Sequence, residues 1–152
     1  MSAYNPSFDI GKRIFATDLE YGERGETLVR AFLEALSYGE FEVKTDRYRN
    51  GRVVIETQQN PRNTGWKPSG LNVTSAKWWI YVFALSEMTD SDSGAFIAIE
   101  VNRLKRYLRA NSALFNEDTK KTFAPNTDNP SKGWLLFPEH VSDLLTNAEY
   151  DG

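Results

Sequence analysis

The sequence predicts an α/β (α+β) domain with a mixed central β-sheet flanked by helices, and three observations carry that expectation. Val29, Leu33 and Leu36 recur at three- and four-residue steps, the spacing of an amphipathic helix. Asn50-Gly51 sits between two short runs of β-forming residues, and both residues tolerate the positive φ of a tight hairpin turn. Two bulky apolar runs, WWIYVFA over 78–84 and FIAIEV over 96–101, lack strong alternation and read as strands buried on both faces. With 152 residues the chain is long enough for one domain, residues 1–152, with a hydrophobic core of its own.

Residues 1–17, with Pro6, Gly11 and few apolar positions, read as a lead-in or flexible arm. A helix follows over 18–36. Glu26 lies in phase with its apolar stripe, one turn before Val29, while Glu23 falls toward the edge. A carboxylate aligned with a buried face is explained either by the positive end of the helix dipole or by a metal. Residues 41–58 read as a β-hairpin, placing Asp46 at the end of its first strand and Glu56 and Gln58 in its second. Side chains alternate along a strand, so Glu56 and Gln58 are expected on one face and Val53 and Ile55 on the other. Oxygen ligands gathered on one face suit Mg²⁺.

Residues 59–70, rich in Asn, Pro and Gly, form a loop, and 71–76 a short helical turn before Lys77. After the 78–84 strand comes a turn over 88–94, then the 96–101 strand. A short basic helix over 102–110 follows, with Leu104 and Leu108 on one side. Residues 116–132 make a long polar loop containing Lys120 and Lys121, a length often tied to function. A last strand over 134–137 and a helix containing 141–145 complete the order.

Composition removes several chemistries. Without cysteine there are no disulfides, no thiol nucleophile and no cysteine-bound zinc. His140, the sole histidine, follows Pro138 where the last helix begins, and reads as a surface or helix-start residue rather than a triad member or metal ligand. No apolar run approaches the roughly 18 residues of a membrane span, and the polar N-terminus does not resemble a signal peptide. A soluble, cytoplasmic protein with no membrane partner is expected. The net charge of −3 is unevenly spread. Residues 41–81 carry seven cations against three anions, net +4, and residues 101–133 the same balance. Basic stretches flanking carboxylates fit a phosphate polymer held around a metal site, and an ordinary solvated surface gives the same count.

Glu26 on the first helix, Asp46 ending one strand and Glu56-Thr57-Gln58 in the next resemble the PD-(D/E)XK nuclease superfamily, as does the segment SGLNVTSAKWWIYVF over 69–83. The resemblance covers residues 21–109. It implies a three-layer restriction-endonuclease-like core and a metal-dependent DNA endonuclease, phage-encoded and similar to Holliday-junction resolvases, acting in a host cytoplasm. Asp46 and Glu56 would be the direct ligands of Mg²⁺ or Mn²⁺, and Glu26 would bind a second ion or a metal-bound water. Gln58 stands where the superfamily carries lysine, and no proline precedes Asp46. Gln58 can orient a water without bringing charge, and Lys44, on the same strand face as Asp46, would supply the missing cation. The substrate implied is DNA, with RNA the other polymer its charges allow; Arg47, Arg49, Ser69, Lys77, Arg103, Arg106, Arg109, Lys120 and Lys121 are the expected contacts. A homodimer is compatible with such an enzyme. The alternative on the same fold is an inactive nucleic-acid-binding protein or complex subunit. In the plain structural alternative Asp46 caps its loop, Glu56 pairs with Lys44 or Arg47, and Glu26 is an exposed helix acid. Trp66, Trp78, Trp79 and Tyr81 offer rings for stacking on bases, with core packing the stronger expectation for Trp79.

Overall fold

The structure, a computed structural model, describes residues 8–46, 48–85 and 93–152, with side chains from Thr17 onward. It is a mixed α+β protein dividing into two compact units, Met1–Gly39 and Glu40–Gly152. The first is built on helix α1, Phe8–Ser37, which starts ten residues before the expected helix. No proline falls between Phe8 and Ser37 to stop it. Its last turn passes into Gly39, whose φ of +73° suits the left-handed conformation that ends helices.

The second unit contains β1 (Phe41–Thr45), β2 (Val53–Gln59), β3 (Lys67–Pro68), β4 (Trp78–Leu85), β5 (Gly94–Glu100), α2 (Val101–Ala110), β6 (Lys121–Phe123), β7 (Ser131–Leu136) and α3 (Pro138–Thr146). These strands form two sheets, not one central sheet. The first has the order β1-β4-β5, with β1 parallel to β4 and β5 antiparallel to it. The second is antiparallel, β3-β2-β7-β6.

The 41–58 hairpin is therefore not formed. Asn50-Gly51 does turn, with Gly51 at φ +73° and the Asn50 side chain accepting from the Arg52 amide, yet β1 and β2 leave that turn into different sheets. Pairing is decided by burial. β1 lies against Trp78 to Val82 of β4, whereas Val53, Ile55 and Thr57 of β2 are fully buried. α2 and α3 fall where helices are expected, β4 and β5 lie within two residues of the expected strands, and β7 starts three residues before its expected strand. β4 is buried on both faces over Trp78–Tyr81, as its uninterrupted apolar run requires. Strands β3 and β6 arise inside stretches expected to be loops, and the turn over 88–94 falls largely outside the described residues.

One core unites both sheets and α2 and α3, centred on Ile55, Trp79, Leu104, Tyr107, Leu136 and Leu144. Each such side chain contributes about 1.5–3 kcal/mol relative to exposure. Tyr81 joins the sheets directly, its hydroxyl accepting from the Val54 amide at 3.2 Å. Among the described residues no helix is long and apolar enough to cross a membrane.

Candidate acidic site and nucleic-acid interface

Glu56 is the best-organised of the expected acidic residues. It is half-buried on β2, and its Oε2 accepts from the Ser69 hydroxyl at 2.9 Å. The Ser69 amide donates to the Thr57 carbonyl, and the Asn72 side chain donates to that same oxygen, so the Ser69-Gly70-Leu71 turn is fastened to β2 beside Glu56. Gly70 makes the approach possible. Its φ is +51°, and a Cβ there would lie 2.2 Å from the Glu56 carbonyl oxygen. On the other side of β2, Gly133 of β7 stands opposite Glu56, where a Cβ would meet the Ile55 carbonyl at 1.8 Å.

Gln58 does not stay on the face of Glu56. The β2–β7 register shifts between them: Glu56 pairs with Gly133 and Gln58 with Lys132. Adjacent residues of β7 point to opposite faces, so this bulge turns Gln58 away from Glu56. Its Oε1 instead accepts from Lys120 Nζ at 3.4 Å. The Lys120 side chain is largely buried, with its Nζ 2.8 Å from Glu117 Oε1 and 5.2 Å from the centroid of the Trp134 ring. The cation beside Gln58 is thus Lys120. Lys44, expected in that role, holds its Nζ 5.5 Å above the Trp79 ring.

Asp46 follows β1, its amide bonded to the Val82 carbonyl, and its Oδ1 accepts from the Tyr48 amide at 2.9 Å, an Asx-type turn. Burial pushes the Tyr81 hydroxyl above its usual range, and the negative charge of Asp46 adds to that rise against the lowering effect of the Val54 hydrogen bond. Asp46 therefore acts electrostatically on a tyrosine bonded to the strand that carries Glu56. Glu26 belongs to the helical unit, where it is exposed and pairs with Arg30 at 3.6 Å. Among the described residues no three histidine, cysteine or acidic side chains gather into a metal-sized group. Asp46 and Glu56 each have one carboxylate oxygen hydrogen-bonded and one without such a bond among the described residues. Carboxylate oxygens are the donor type that Mg²⁺ takes, but Asp46 follows β1 in one sheet and Glu56 lies on β2 in the other, so the hairpin expected to bring the two together is absent.

The expected basic contacts divide by what already holds them. Arg103 donates from Nε to the Leu144 carbonyl, from Nη2 to the Asn147 carbonyl and from Nη1 to Asp151, clamping the end of α3. Arg106 donates to the Tyr150 carbonyl at 2.7 Å. These two are structural. Arg49, at φ +50°, donates to the Leu85 carbonyl, and Lys77 pairs with Glu40 at 3.0 Å. Arg109 and Lys121 remain exposed, Lys121 lying 5.8 Å from the Phe137 ring. Arg47 lies outside the described residues. His140 acts at the start of α3, its Nδ1 accepting from the Phe137 amide at 3.0 Å.

A second feature was only half visible in the sequence. Trp66, with 37% of its surface exposed, carries the Lys132 ammonium 4.2 Å from its ring centroid. The tryptophan in a Pro/Asn/Gly loop was the available signal; its cationic partner comes from a strand far away in sequence. Trp78, Trp79 and Tyr81 are buried, as core residues. Comparison with protein-family models, curated proteins and solved structures found no match for this chain.

Proposed function

We propose that this chain is a metal-dependent DNA endonuclease of the PD-(D/E)XK type, with Glu56 at the centre of its site. The observation that supports this best is the junction of Glu56 with Ser69-Gly70. Two separate parts of the superfamily-like pattern meet there, the hydroxyl of one fixing the carboxylate of the other. Asp46 and Glu56 would hold Mg²⁺ or Mn²⁺. Such an ion, when bound, polarises a phosphoryl oxygen and acidifies water. The chain's own residues do the rest. Ser69 holds the Glu56 carboxylate in one orientation, and the exposed cations Arg109 and Lys121 offset phosphate charge.

A second reading, a nucleic-acid-binding protein without cleavage, draws support from Gln58, which is turned from Glu56 and engaged by Lys120. One experiment separates them. Labelled linear, single-stranded and four-way-junction DNA are incubated with the protein in Mg²⁺ or Mn²⁺, with an EDTA control. Metal-dependent products that vanish with EDTA support the enzyme. Retained binding without product in either ion supports the second reading, and neither binding nor product rejects both.

A further inference from the structure

Residues 60–66 and 124–130, the connections into β3 and β7, form two loops braced against each other at one end of the antiparallel sheet. The Asn60 amide donates to the Pro130 carbonyl, the Arg62 amide to Asn129 Oδ1, and the Asn63 side chain to the Thr127 carbonyl. Within the first loop, Asn60 Oδ1 also accepts from the Gly65 amide at 2.8 Å. Four non-glycine residues among those described have positive φ, and three of them, Arg62, Asn63 and Ala124, belong to these loops. A backbone held in such conformations is over-determined by its surroundings, so what it displays is presented in a fixed position.

What it displays is an aromatic ring among cations. Trp66 has Lys132 on its ring, Arg62 and Lys67 are exposed on either side of it in sequence, and the only carboxylate in the two loops is Asp128. The charge around the ring is positive, with Lys132, Arg62 and Lys67 against one carboxylate. A flat ring with flanking positive charge matches a flat base with flanking phosphates.

We propose that Trp66, held by Lys132, is a stacking platform for an unpaired nucleobase, with Arg62 and Lys67 meeting the adjoining phosphates. The proposal rests on the nucleic-acid reading above and deepens it, because a base can reach Trp66 only where it is unstacked. It therefore names the substrate class: single-stranded, frayed or branched nucleic acid over uninterrupted duplex.

The test is fluorescence anisotropy with a labelled oligothymidylate and with a labelled blunt duplex, for wild type, Trp66→Ala and Trp66→Phe, each checked for an unchanged melting temperature. Loss of one stacked base weakens oligothymidylate binding by roughly 5- to 150-fold in Trp66→Ala. Duplex binding, dominated by phosphates, changes by less than about twofold. Trp66→Phe keeps an aromatic face and falls between wild type and Trp66→Ala, while losing the quenching of tryptophan emission that wild type shows on binding. Wild-type binding that Trp66→Ala leaves unchanged, or an equal loss on both probes, overturns the platform alone. Wild type that binds neither probe overturns the nucleic-acid reading and the platform with it.

Discussion

Replacing Gly70 by alanine probes the joint that fixes Glu56. At φ +51° an L-residue costs about 1–2 kcal/mol relative to glycine. The added Cβ would also sit 2.2 Å from the Glu56 carbonyl oxygen and 3.0 Å from the Glu56 Cβ. The first neighbour is backbone in a paired strand and cannot swing aside, so the Ser69-Gly70-Leu71 turn must lift from β2. Forced displacement of this kind costs about 1–3 kcal/mol. Together the loss is about 2–5 kcal/mol, a large share of the roughly 5–15 kcal/mol that holds a domain of this size. Urea denaturation of Gly70→Ala beside Ser69→Ala measures it. Ser69→Ala removes one hydrogen bond to a carboxylate, about 1.5–3 kcal/mol when buried and less here, where Glu56 is only half-buried. The expected order of stability is wild type, Ser69→Ala, Gly70→Ala. A Gly70→Ala protein within about 0.5 kcal/mol of wild type, the range of an inconsequential surface change, would refute the packing of this turn on Glu56.

Arg103→Ala breaks the clamp on Leu144, Asn147 and Asp151 and should lower stability by about 2–4 kcal/mol, while leaving the salt dependence of nucleic-acid binding unchanged. Arg109→Ala with Lys121→Ala should do the reverse, flattening the slope of log affinity on log salt with little effect on the urea midpoint; a flattened slope in Arg103→Ala would contradict this division. The Tyr107 hydroxyl is pushed up from 10.0 to about 12, first by burial and then by the charge of Asp143 and by Tyr150. Its folded value is above the unfolded one, so the stabilisation is full below about pH 10 and is lost as pH rises toward 12. Alkaline unfolding followed by circular dichroism should show wild type losing stability over that window more steeply than Tyr107→Phe, and parallel curves would contradict it.

Much of the fold was legible because burial alone specifies it. The run from Trp78 to Ala84 has no polar face, so it had to be a central strand, and Leu104 with Leu108 could only be the inner side of a short helix. What escaped were choices made between distant segments. Asn50-Gly51 encodes a turn but not the partner of β1, which is set by contact with Trp78 to Val82. The bulge after Glu56 depends on Gly133, a residue far along the chain whose missing side chain lets β7 press on Ile55. The order of motifs singles out Glu56, Asp46 and Ser69 in the sequence, but the Glu56–Ser69 contact is not legible there, because it joins β2 to a turn thirteen residues on. Charge counting could not separate Arg103, which is held by three acceptors, from Arg109, which is exposed.

The measurement that bears most directly on the proposed site is calorimetric titration of Mn²⁺ into wild type, Asp46→Ala and Glu56→Ala, with circular dichroism confirming that each variant is folded. Two carboxylates that each keep one oxygen without a hydrogen bond among the described residues should bind the ion in wild type, and removal of either should abolish the heat of binding. Unchanged Mn²⁺ binding in folded Glu56→Ala would place the metal elsewhere and contradict the account.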